Sequence, residues 1–430
     1  MKKTRFVSVF AAALLALLFL ASGADAAIMA GAGKVDITPP LGMPLSGYGN
    51  RINEPSTGVH DPVFARALVM ESGGKRVAIV SADLLMMSLE LKKDLEGRLS
   101  DLDLDFLSVS ATHTHYSTGA YIDNKVAEIA VMGKYDPEAY ELVVSGMEEA
   151  VRAAASELVP VKIGSASADC PVLSTNRRHQ DGPVDPTIRV VGVWKEDGGL
   201  LALFMNHAVH PTTVPSTTTL VTGDVAGRAE AWFEEKYDGA VAMFLNAGLG
   251  DQSPGKKGMK GTWEVVDEVG TGMAEAADTA LSSIEPSSDV ELEYYVRSFD
   301  MPKPKLRWSL QCWGGLNQLF PVFGKDMIRE EGAVSGVRLG DALFLFSPAE
   351  VTYDIQRHLQ ESFPERTVLV VTHSNDIYGY VVTPEDYKTG GYETCMNFYG
   401  PEFGPYLEEQ FVTMVKGDSM PGYSCPCGAK

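Results

Sequence analysis

Residues 104–115 read LDFLSVSATHTH, and the fold turns on them. An apolar run of strand length, Leu104–Ser110, passes straight into Ala111-Thr112-His113-Thr114-His115, so a buried strand ends on two histidines. Upstream, Lys75–Asp83 (KRVAIVSAD) has the composition of a second buried strand, and Leu91–Leu99 between them suits a helix. Strand, helix and strand at this spacing mark an α/β layer fold. Downstream, Tyr140, Val143, Val144, Met147, Val151 and Ala154 recur at three and four residues and predict a helix over Pro137–Leu158. Ile188–Trp194 and Leu200–Met205 read as strands joined by a turn at Glu196-Asp197-Gly198-Gly199. Asp224 is placed to cap a helix running to Tyr237, ahead of a strand over Val241–Leu245. A helix over Val265–Leu281, a strand over Val290–Val296, a hairpin turning at Gly340-Asp341 within Gly336–Phe346, and a strand over Thr367–Val371 follow. The chain shows no internal repeat and no long linker. It predicts a large mixed β-sheet flanked by helices, one domain over residues 27–416, and a loose tail over 417–430.

Composition narrows the function. With 45% hydrophobic and 22% charged residues over 430 positions, a disordered chain is excluded. A net charge of −21 has the wrong sign for nucleic acid or an anionic membrane surface. Residues 1–26 read as a secretory leader: Lys2, Lys3 and Arg5 precede an apolar run from Phe6 to Leu20, and Ala24-Asp25-Ala26 supplies a small-x-small cleavage site. The run is shorter than the roughly 20 residues a membrane span requires. A secreted or periplasmic protein is expected, without a stable membrane span. Of Cys170, Cys312, Cys395, Cys425 and Cys427, an odd number, at least one lacks an intrachain partner. Cys425-Pro-Cys427 has no second pair at zinc-finger spacing.

Only eight histidines occur, and several stand where strands end. Ligands of layered α/β proteins collect at the carboxyl ends of strands. His113 and His115 follow one strand, and His207 and His210 another. In an extended His-x-His, both rings lie on one face about 7 Å apart. A catalytic zinc site also needs oxygen or sulfur ligands and an open position for water. Glu350 closes the apolar run Leu343–Glu350, where a carboxylate is costly to bury unpaired, and Tyr380 lies just beyond the last strand. Taken singly, each suits a structural role: a hydrogen-bonded histidine pair, a charge at a helix N-terminus, a packed aromatic. Leu245–Pro254 (LNAGLGDQSP) presents Ser253 on a glycine-rich turn, which suits turn chemistry or a nucleophile outside the G-x-S-x-G pattern.

Taken together, the blocks resemble the neutral, non-lysosomal ceramidase family. They are Gly33-Lys34-Val35-Asp36-Ile37-Thr38-Pro39-Pro40, Gly47-Tyr48-Gly49, Gly58-Val59-His60-Asp61-Pro62 with Arg66, Ser110–His115, Asn176-Arg177, Val209-His210-Pro211-Thr212, Asn246-Ala247-Gly248, Gly250–Pro254, Ala349-Glu350 and Tyr380–Tyr392. The resemblance implies a zinc amidohydrolase that splits the N-acyl bond of ceramide, with Zn2+ held by His113, His210, Glu350 and Tyr380. It further implies His115 beside the attacking water, Tyr392 as hydroxyl donor to the oxyanion, and Arg177 and Ser253 as active-site residues. The chemistry is consistent: water activated by zinc attacks the amide carbonyl, an O–H donor stabilises the oxyanion, and a histidine passes a proton to the departing amine.

The chain departs from the family in four places. Tyr116-Ser117-Thr118-Gly119 follows the histidines instead of Ser-Gly-Pro, and Ser347-Pro348-Ala349 stands where Pro-Gly often precedes the glutamate. The stretch from Ser253 to Glu350 is short, and no immunoglobulin-like domain is expected after it. The leading expectation is a secreted zinc-dependent amidase acting on ceramide, a ceramide-like lipid or another small amide. Alternatives are a serine-type amidase or esterase using Ser253 with His115, and a secreted, non-catalytic binding protein on the same fold.

Overall fold

The computed structural model describes residues 27–170, 174–179, 181–255, 261–312 and 327–417. The leader, the Cys425-Pro-Cys427 motif and the tail from residue 418 lie outside them.

Three units of identical connectivity follow one another. Each is a strand, a long connection, a tight hairpin of two strands, a helical crossover, and a fourth strand parallel to the third. The first holds β1 (Met29–Asp36), β2 (Phe64–Ser72), β3 (Lys75–Ala82), helix α1 (Leu89–Arg98), β4 (Phe106–Ala111) and α2 (Pro137–Ser156). The second holds β5 (Val159–Asp169), β6 (Thr187–Lys195), β7 (Leu200–His207), α3 (Asp224–Lys236), β8 (Val241–Asn246) and α4 (Trp263–Ser282). The third holds β9 (Leu292–Asp300), β10 (Glu331–Leu339), β11 (Ala342–Phe346), α5 (Tyr353–Glu361), β12 (Thr367–Val371) and α6 (Phe403–Lys416). This repeat is one of topology, which explains why residue by residue the chain shows none.

The first two units join through a short β1–β5 pairing, Met29↔Pro160 and Ala30↔Val159, giving an eight-stranded mixed sheet in the order β8-β7-β6-β5-β1-β2-β3-β4. The third forms its own sheet, β9-β10-β11-β12. The alternation of side chains along the strands sets the layers. Leu68, Ile79, Phe204 and Met243 face Val337, Phe344 and Leu369 in one buried cluster, with the Phe204 and Phe344 rings 5.2 Å apart. On the opposite face, Ala67 and Val80 pack under Val143 and Met147 of α2, while Leu203 and Phe244 pack under α3 and α4. Leu345 and Val370 turn outward onto α5 and α6. The helices thus flank the sheets as expected, but each sheet has helices on one face and the other sheet on its second. At Gly33 a Cβ would lie 2.2 Å from the Ala150 carbonyl oxygen, so the motif glycine lets β1 lie close to α2.

Asp224 is the first residue of α3 and not the one before it, with φ at +53°. Its buried carboxylate accepts from Val225 N at 2.6 Å and from Thr213 N at 2.9 Å, tying the helix start to the loop after His210.

Candidate metal centre

The loops following β4, β7, β8, β11 and β12 converge, and Asn246 is the node. Its Nδ2 donates to the Thr112 and Val209 carbonyls at 2.9 and 2.8 Å, while its own carbonyl accepts from Thr372 N at 2.9 Å. One residue, through its side chain and its main-chain carbonyl, therefore ties the loops that carry His113, His210 and His373. His113 sits at φ +70°, a left-handed conformation costly for a side-chain-bearing residue and typical of functional loops. The small strand Glu350–Val351 pairs in parallel with Tyr380–Val381, register Glu350↔Tyr380, which puts the carboxylate and the phenol side by side.

His113 Nε2 lies 3.1 Å from His210 Nε2 and 3.2 Å from His115 Nε2, and the last two are 3.2 Å apart. Glu350 Oε2 is 3.9 Å from His113 Nε2, and Oε1 is 3.7 Å from His210 Nδ1. The Tyr380 hydroxyl accepts from Arg177 Nη2 at 3.1 Å. His113, His210, Glu350 and Tyr380 are all buried.

Such a cluster needs something between its nitrogens. The His113 Nδ1–H donates to the Leu85 carbonyl at 2.7 Å, which leaves a lone pair on its Nε2. A proton does not fill the gap. Burial, then the neighbouring His373 ring, lower the His113 pKa to about 3 against the pull of Glu350. Burial and Arg177 lower that of His210, and burial and His113 lower that of His115. Burial raises Glu350, and burial together with Glu350 raises Tyr380. A divalent cation satisfies all of these at once, since neutral imidazoles donate lone pairs and positive charge favours carboxylate and phenolate. The spacing suits a small ion: tetrahedral ligation at Zn–N of 2.0–2.1 Å separates nitrogens by about 3.3 Å. Glu350 Oε1 is buried with no hydrogen-bond partner among the described residues, as an atom reserved for a ligand would be.

The other expected site residues take different stations. Arg177 Nε donates to Glu393 at 2.9 Å, and its backbone N–H to the Asp251 carbonyl. Tyr392 is 49% exposed at the mouth, its ring 5.6 Å from that of Tyr380. Ser253 is half-buried in the strand Gln252–Pro254, opposite Thr175, and the carbonyl of Gln252 before it accepts from His210 N at 3.2 Å. Among the described residues, no hydrogen bond joins Ser253 to His115, whose Nδ1 has no partner. His207 points away from the cluster, its Nδ1 donating to the Thr187 carbonyl at 3.1 Å. Asp251 accepts locally from Gln252 Nε2 at 2.9 Å and ties its turn to distant segments, accepting from Asn176 Nδ2 and Tyr353 N at 2.7 and 2.9 Å. Gly47, at φ +103°, lies against the His115 ring, where a Cβ would come within 2.6 Å of Nδ1. Sequence reasoning missed His373, which stacks on His113 with centroids 3.9 Å apart and 10° between planes. A signal was present: Thr372-His373-Ser374 follows an apolar strand as Thr112-His113-Thr114 does.

A family model described as neutral/alkaline non-lysosomal ceramidase, N-terminal, matches residues 28–268, more than half of the chain. The chain belongs to this ceramidase family. It is 32% identical over 278 residues to the neutral ceramidase of Drosophila pseudoobscura pseudoobscura, covering 58% of this chain, and 26% identical over 264 residues to that of Pseudomonas aeruginosa, covering 56%. Each alignment spans 39% of the relative's own length. In three dimensions the chain is similar to the crystal structure of the Pseudomonas aeruginosa neutral ceramidase, with a TM-score of 0.78 and 21% identity over 93% of this chain and 76% of that one. It is similar as well to a ceramidase complexed with C2, at 0.76 and 20% over 94% and 78%. These structures share the ceramidase fold. Of the blocks that carried the resemblance, those from Gly33 to Ser253 fall within the matched residues, whereas Glu350 and Tyr380 lie beyond them and enter through the fold.

Proposed function

We propose that this ceramidase-family chain is a secreted, zinc-dependent amidohydrolase that cleaves the N-acyl bond of ceramide or a ceramide-like lipid. The convergence of His113, His210, Glu350 and Tyr380 from separate strand ends carries the reading. Zinc bound by these four side chains supplies Lewis acidity and a water of lowered pKa. The remaining roles follow from the hydrogen bonds. His113 has Nδ1 against the Leu85 carbonyl at 2.7 Å, which fixes the tautomer as a ligand requires, while His210 Nδ1 lies 3.4 Å from both the Leu249 carbonyl and Arg177 Nη1. His115 Nδ1 has no such anchor, so its ring is free to change tautomer, to take a proton from the attacking water and to give it to the departing amine. Arg177 holds the Tyr380 oxygen and favours its ionised form. Tyr392 faces the mouth, where a hydroxyl can donate to the oxygen of the scissile carbonyl as charge builds on it. Ser253 contributes by position, in the strand that anchors His210 N.

Export is supported by the leader-like residues 1–26 and by the Cys312–Cys395 disulfide, a bond of oxidising compartments; Cys170 is free and buried. Among the described residues, no helix is long and apolar enough to cross a membrane.

The deciding assay is release of fatty acid from a short-chain ceramide in detergent, with chelator and with zinc restored. Activity abolished by chelation and recovered with zinc is the expected outcome. Full activity in chelator, with an acyl group trapped on Ser253, would overturn it in favour of a serine hydrolase.

A further inference from the structure

Among the described residues His207 and His373 are buried imidazoles that the reaction outlined above does not use, and of the two it is His373 that stands against His113. It follows β12 at the position His113 holds after β4: each lies two residues beyond the last register pair of its parallel strands, Phe346↔Val371 and Ala82↔Ala111. Both have left-handed backbones, φ +51° and +70°. Bulk packing does not require such a conformation, and its recurrence at two equivalent strand ends points to a shared task. The carbonyl of His373 accepts from Ala111 N at 3.2 Å, so the two histidine loops are tied directly.

The ring has one partner of consequence. His373 Nε2 is 3.5 Å from Glu350 Oε2, is buried, and has no hydrogen-bond partner among the described residues. Its plane lies 10° from that of His113 at 3.9 Å between centroids. An imidazole ligates in its own plane, and two nearly parallel stacked rings do not meet at one ion, so His373 is not a further ligand to the cation His113 holds. Nε2 faces a carboxylate oxygen. An N–H there, shortened by a small shift of either group, would fix the Glu350 rotamer beside His113.

We propose that His373 is a positioning residue, which donates Nε2–H to Glu350 Oε2 and sets that carboxylate for the ion. The proposal rests on the reading of the cluster as a metal centre. It is tested by metal affinity rather than turnover, through competition between the purified full chain and a chromophoric chelator for zinc, with the cobalt(II) absorption spectrum as a second readout. His373→Phe keeps a flat ring on His113 and removes the donor, and is expected to lose about 10–100-fold in zinc affinity and to alter the cobalt spectrum. His373→Gln restores a donor and is expected to recover most of the loss. His373→Leu serves in place of the phenylalanine variant if that one does not fold. A donor-less variant that binds zinc as tightly as wild type with an unchanged cobalt spectrum overturns the positioning role. So does a glutamine variant as impaired as the donor-less one. Wild-type protein that binds neither metal overturns the metal centre itself, a failure distinguishable from the other two.

Discussion

His113→Ala is expected to cost at least about 10³-fold in ceramide hydrolysis, because on the proposed function it removes a ligand of a cation that supplies several kcal/mol of transition-state stabilisation. The same variant should purify with little or no zinc. Its fold should survive, since the ring lies among other polar groups and Asn246 continues to hold the loop through the Thr112 carbonyl. Zinc content and initial rates on one preparation, with circular dichroism as a folding control, check this. A variant that keeps both its zinc and its rate would remove His113 from the site.

The largest stability effect is expected at Arg66, a residue of the opening motifs. Its side chain is 2% exposed and meets Asp83 at 3.0 Å, Glu230 at 2.7 Å and Glu234 at 3.1 Å. Burial works against the Arg66 charge, yet the three carboxylates hold its pKa above the ordinary value. Arg66→Met keeps much of the volume and removes the cation, leaving Asp83 and Glu230 buried without their counter-charge. Breaking such a pair from one side costs about 3–5 kcal/mol. Denaturant unfolding measures it, and a loss below about 1 kcal/mol would show that the carboxylates are protonated or solvated in the folded protein. Glu230→Gln in the same chain should return part of the loss, because it removes one of the two stranded charges. Asp83 also accepts from Thr112 Oγ1 at 3.2 Å, so the network reaches the residue before His113. Part of the opening motif thus serves to support the metal loop.

How much of this was legible in the sequence depended on whether a feature is local. Pro137–Ser156 announces itself because burial along one face leaves a period of three and four, and Thr367–Val371 because it is an unbroken apolar run of strand length. The split into two sheets does not, because an apolar run such as Leu343–Phe346 looks the same whether it packs on a helix or on another sheet. The threefold connectivity is likewise invisible, being a matter of which strand pairs with which. At the site, His113 and His115 stood out as a doublet at a strand end. Glu350 and Tyr380 stood out less: each was a strand-end candidate that taken singly suited a structural role, because their register contact is set by the small parallel pair they head. His373 was overlooked because one histidine after a strand is indistinguishable from a satisfied core histidine until its neighbours are known. Arg66, Asn246 and Asp251 show the converse, since residues that carried the resemblance here hold loops together. Their partners lie between 17 and 168 residues away along the chain.

The most direct test of the account is anomalous diffraction at the zinc edge from crystals grown with zinc. The account predicts one strong peak between His113 Nε2, His210 and Glu350, at about 2.0–2.2 Å from each ligand atom. An empty cluster under saturating zinc, or a peak elsewhere in the molecule with His113 and His210 unliganded, would contradict it.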